Sequence, residues 1–204
     1  MPRLDSDHLL TLTEGVSVGY NALNAIMAST PVLEGFWPGR NLRSYLVDPC
    51  VQYGIEVVST RRGTFHTEFK PNKAGNHVHT RFHGKGVCIT THFTGQDASR
   101  KAARRAVNRA ELASRCQDLF AFERNLVVLE ENQTVYVHLL HGGKATPVAL
   151  TLAIPDQSQS SNPLTPWALD LTAPETADVE QVTEAMTFRL KQLPAESEDR
   201  REAS

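Results

Sequence analysis

The chain has 204 residues, of which 40% are hydrophobic and 22% charged, with a formal net charge of −2. That length suits one domain, and that composition excludes wholesale disorder. No apolar run reaches the ~18–20 residues of a membrane-spanning helix, and Met1-Pro2-Arg3-Leu4-Asp5-Ser6-Asp7 lacks a secretory-signal layout.

In chain order, Ser6 to Ser29 reads as a helix capped by Ser6 or Asp7. Leu9, Leu12, Val16, Tyr20, Leu23 and Ile26 recur near a 3.6-residue period. Gly15 and Gly19 weaken it by roughly 1 kcal/mol each, so a break is expected there if anywhere. A turn-rich stretch around Gly35-Phe36-Trp37-Pro38-Gly39 precedes a short helix near Leu42 to Tyr53, despite Pro49. Ile55 to Thr60 is rich in β-branched residues and reads as a strand, with Arg61-Arg62-Gly63 as the following turn.

Thr64 to Lys70 alternates strictly, with Phe65, Thr67 and Phe69 on one face and His66, Glu68 and Lys70 on the other. His77 to His83 and Val87 to Phe93 flank Gly84-Lys85-Gly86 as a hairpin. Only the register that sets His83 opposite Cys88 keeps like faces together, because a one-residue slip inverts every side chain. That register, continued, sets His79 opposite His92.

Gln96 to Phe122 is the strongest helical pattern. Ala103, Ala106, Val107, Ala110, Ala113, Cys116 and Phe120 give it a thin apolar stripe. Strands are expected at Leu126–Leu129, Val135–Leu140 and Pro147–Ile154, then a polar loop from Pro155 to Pro166. Trp167 to Leu171 reads as an edge strand and Glu175 to Leu193 as a closing helix. The sequence therefore predicts an α+β fold over residues 1–193: a mostly antiparallel sheet of about six or seven strands, the long Ala/Arg-rich helix packed on one face, and terminal helices flanking. Residues 194–204 read as a disordered charged tail.

Three groups of residues carry chemistry. Five of the eight histidines lie between His66 and His92. His77 and His79, alternate residues of one strand, together with His92 across the hairpin, form a candidate zinc site. A histidine-rich polar face hydrogen-bonded to Thr90 and Arg81 explains the same pattern. Asp48, followed by Glu68 and Lys70 on one strand face, is similar to the PD-(D/E)xK nuclease pattern, in which two carboxylates hold Mg²⁺ and the lysine serves the attacking water. An ordinary surface ion pair explains those residues equally.

The third group is basic. Lys101, Arg104, Arg105, Arg109 and Arg115 crowd the predicted long helix, and residues 1–124 carry a net +5 against −7 for residues 125–204. Such a stripe suits phosphates or an acidic protein face, or it neutralises the chain's own acidic half. His138 and His141 project from opposite faces of a strand and do not form a pair. The three cysteines, Cys50, Cys88 and Cys116, are odd in number and widely spaced, which suits a reducing cytoplasm.

Three stretches also carry a resemblance. Arg104 to Phe120 (RRAVNRAELASRCQDLF), Tyr136 to Gly142 (YVHLLHG), and Ile154-Pro155-Asp156 with Trp167 together resemble a group of uncharacterised bacterial proteins. These are encoded on mobile elements beside regulator or toxin-like genes, and the resemblance covers roughly residues 75–170. It implies a bacterial or phage cytoplasmic protein, one half of a two-component module. The expected function is therefore non-enzymatic: an antitoxin-like or regulatory partner that binds an acidic protein or nucleic acid through the basic helix. The alternative is a metal-dependent hydrolase of the nuclease type, with zinc or magnesium as cofactor.

Overall fold

Asp5 opens the first helix. In the computed structural model, which describes residues 4–34, 37–71, 78–96, 134–155 and 165–168, its carboxylate accepts the backbone N–H of His8 at 3.1 Å. The cap is thus Asp5 rather than Ser6 or Asp7, and α1 (Ser6–Ser29) runs unbroken to Thr30. A four-residue helix, α2 (Pro31–Glu34), follows, then α3 (Trp37–Arg62).

The two glycines of α1 do not break it because a second helix uses them. A Cβ on Gly15 would lie 2.6 Å from the Ile55 Cα, and one on Gly19 would lie 2.5 Å from the Val51 Cα. From the other side, a Cβ on Gly54 would overlap the Gly15 carbonyl oxygen and sit 2.7 Å from the Gly19 nitrogen. Three missing side chains let α1 and α3 cross backbone to backbone.

That crossing corrects the expected strand at Ile55–Thr60 and the short helix ending at Tyr53. Both stretches belong to α3. Ile55 and Val58 are buried in the packed helix, and this tertiary contact outweighs the local β preference of branched residues. The expected turn at Arg61-Arg62-Gly63 is the end of the same helix. Gly63 takes φ +66°, and its N–H returns to the Ser59 carbonyl at 2.8 Å. Glu14 of α1, only 2% exposed, receives both Arg61 and Arg62, the latter at 2.7 Å, so the two helices are also tied by charge.

The strands are β1 (His66–Pro71), β2 (Val78–Gly84), β3 (Val87–Phe93), β4 (Val135–Gly143), β5 (Pro147–Ile154) and the four-residue β6 (Thr165–Ala168). They form one mixed sheet in the order β1-β2-β3-β4-β5-β6. The β3–β4 pairing is parallel and the others are antiparallel. The hairpin register matches the sequence argument, with His83 opposite Cys88. Lys85 and Gly86 both take positive φ, the conformation of a tight two-residue hairpin. The expected edge strand at Trp167 begins two residues earlier, at Thr165, and carries Pro166, which an edge tolerates.

Helices α1 and α3 cover one face of the sheet. Leu12, Val16, Leu23 and Ile55 pack there against Phe82, Ile89, Leu139 and Leu152, all fully buried. The expected Ala/Arg-rich helix, the strand at Leu126–Leu129, the closing helix and the charged tail lie outside the described residues. Among the described residues no helix is long and apolar enough to cross a membrane.

Candidate functional site

Strand alternation sorts the polar side chains onto two faces. On the helix-covered face, Thr80 of β2, Thr91 of β3 and His141 of β4 point toward α1 and α3. His141 is fully buried. Its Nε2 lies 3.0 Å from Asp48 Oδ1, and its Nδ1 lies 3.3 Å from the Tyr20 hydroxyl. A carboxylate only accepts, so Nε2–H donates to Asp48, and Nδ1 shares a hydrogen bond with the Tyr20 hydroxyl. Gln52, one helical turn after Asp48, donates to Asp48 Oδ2 at 2.9 Å and to Thr91 at 3.1 Å, and accepts from Thr80 at 2.7 Å. The chain of bonds links both helices to three strands. Burial pushes the Tyr20 hydroxyl well above its ordinary pKa and the Cys50 thiol up to about 11.

The opposite face carries two further groups. Glu68 of β1 accepts from His83 at 3.0 Å and lies 3.5 Å from Arg81, its cross-strand partner on β2. The His83 hydrogen bond, with the Arg81 and Lys70 charges, holds the Glu68 carboxyl below its ordinary range. One strand over, the Thr90 hydroxyl lies 2.8 Å from both His92 Nε2 and the Tyr136 hydroxyl, which in turn lies 3.1 Å from His138 Nε2. The His92 and His138 rings meet edge to face with centroids 4.5 Å apart.

This arrangement separates the residues expected to act as a nuclease centre. Asp48 lies on α3, which takes in both the short helix expected around it and the strand expected after it, and it faces His141 on the helix side. Glu68 pairs with Arg81, the neighbour of Thr80, and so stands on the other side of the sheet with Lys70. Asp48 therefore does not converge with Glu68 and Lys70, because a β-sheet lies between them.

The expected metal ligands are described only in part. His77 lies outside the described residues. His79 sits opposite Lys70 of β1, while His92 is engaged with Thr90 and His138. The paired hairpin register runs from Gly84↔Val87 to Phe82↔Ile89 and is not carried on to His79 and His92 among the described residues. Beyond Phe82, Gln52 reaches both Thr80 and Thr91. No group of three His, Cys, Asp or Glu able to hold a metal ion occurs among the described residues. Lys101, Arg104, Arg105, Arg109 and Arg115 fall outside them.

His138 and His141 do face opposite ways, as their spacing requires. Sequence reasoning missed Tyr20, Gln52, Tyr136 and the depth of His141. The one available signal was a buried-strand pattern, Val-Tyr-Val-His-Leu-Leu-His, holding polar rings that need partners. The chain matches no family model, no curated protein and no solved structure.

Proposed function

We infer that the protein is a non-enzymatic interaction or regulatory partner of the antitoxin kind. It takes an acidic protein face or a nucleic acid on the segment bearing Lys101, Arg104, Arg105, Arg109 and Arg115. What supports this over hydrolysis is the placement of the carboxylates. Asp48 and Glu68 lie on opposite faces of the sheet, and each is already held by a histidine and a second donor. The Tyr20–His141–Asp48 chain resembles a relay only in composition, since Tyr20 and His141 are too buried to meet a substrate. Its role is to bind the helices to the sheet.

Co-purification from the native host, with metal analysis of the same sample, tests the reading. The expected result is a stoichiometric partner that dissociates as salt rises and is lost in the Arg104→Glu/Arg105→Glu variant, whose fold persists. For nucleic acid, affinity falls linearly in log salt; for protein, mainly the association rate falls. DNA or RNA cleavage with Mg²⁺ or Mn²⁺ that Glu68→Gln abolishes would replace this reading with the nuclease.

A further inference from the structure

We propose that two copies of the chain pair through the outer edge of β1, antiparallel about a two-fold axis at Phe69, and so extend one sheet across a dimer. Strand β1 ends the strand order, with its pairing to β2 on one side only among the described residues. Phe69 is 58% exposed there, and Val78, across from Pro71 on β2, is 50% exposed. Phe69, Pro71 and Val78 share the sheet face that the helices cover elsewhere, so an apolar patch reaches the edge of the sheet.

Charge selects the occupant and the register. Lys70 and Pro71 would ordinarily guard an edge against pairing. Glu68, two residues earlier on the same face as Lys70, reverses that in one alignment. With Phe69 opposite Phe69 of the second copy, each Glu68 stands opposite Lys70 of the second copy, and the two apolar patches meet across the axis. Sliding by two residues in one direction sets Glu68 against Glu68; in the other it sets Lys70 against Lys70. Like charges directly opposite are destabilising. Sliding by one residue turns the helix-covered face of one copy to the polar face of the other. One register satisfies both charge and face.

Sedimentation velocity on the full chain tests the dimer, from about 1 µM to about 500 µM, since so short a pairing belongs with small transient interfaces. Lys70→Glu, at an exposed position, turns two attractive cross-strand pairs into two repulsive ones and should raise the dissociation constant at least about tenfold. Phe69→Cys, on the axis, should form an intermolecular disulfide under mild oxidation beyond the wild-type background. Thr67→Cys should not, because the two Thr67 residues would lie ~13 Å apart. Circular dichroism confirms that each variant is folded. A monomer at every concentration, a dimer indifferent to Lys70→Glu, or a Phe69→Cys variant that crosslinks no better than Thr67→Cys would overturn the proposal.

Discussion

The two faces of the sheet treat polar side chains in opposite ways. Under the helices, Thr80, Thr91 and His141 are satisfied by residues from other elements: Gln52 and Asp48 of α3 and Tyr20 of α1. On the other face, Glu68, Arg81 and His83, like Thr90, Tyr136 and His138, bond to neighbours on the same or adjacent strands. Burial between layers requires partners from afar, because an unpaired polar group there costs about 1–3 kcal/mol. The Thr90, Tyr136 and His138 group is also buried and meets that need within two strands, whereas Glu68 and His83 are partly exposed and their pair is worth little. The helix-covered face therefore specifies how the layers dock.

The contrast yields a graded series of stability effects. The largest should come from Gly54→Val, which drives a branched side chain into the Gly15 carbonyl and the Gly19 backbone. Overpacking against backbone that cannot yield should cost about 3 kcal/mol, a large fraction of the ~5–15 kcal/mol that holds a domain folded, and urea denaturation would show it. Next is His141→Phe, which fills the volume but leaves the buried Tyr20 hydroxyl without this partner and removes one of the two donors to Asp48. A loss of about 2 kcal/mol is expected, with Tyr20→Phe losing about 1 kcal/mol, both read from the shift in urea midpoint at constant slope.

The smallest change belongs to the polar face. Glu68→Gln should alter stability at neutral pH by under about 1 kcal/mol. Its signature lies in acid. Because the folded state holds the Glu68 carboxyl below its ordinary range, the folded chain binds this proton less readily than the unfolded chain. The contribution is complete above the ordinary glutamate pKa and fades as pH falls through the lowered value. Wild type and Glu68→Gln should thus differ at neutral pH and converge in acid. Parallel curves across the acid range would remove Glu68 from the face's electrostatics.

Much of the sheet was legible because its information is local. Alternation in Thr64 to Lys70 and the single face-preserving hairpin register give β1, β2 and β3 and the His83–Cys88 pairing. The helix pair was not legible in the same way. Ile55, Val57 and Val58 favour a strand locally, and Gly15 and Gly19 count against a helix until Gly54 supplies the reason for them. The site was misread for a related cause. Asp48, Glu68 and Lys70 sit in a plausible order along the chain, but Asp48 addresses one face of the sheet from α3 while Glu68 and Lys70 stand on the other. Order in sequence says nothing about which face a helix addresses.

The bond between Tyr20 and His141 spans 121 residues, as does that from Asn24 to the Ala145 carbonyl. During synthesis the first helix emerges long before its partner strand exists. The glycine crossing joins α1 to α3, which precedes every strand in the chain, whereas His141 and Ala145 come after four of them have begun. Contacts this distant along the chain slow folding, because the loop between them must close before they form. Tyr20 and Asp48 gain His141 only once β4 is in place, so the same bonds that dock the layers close long loops in the chain.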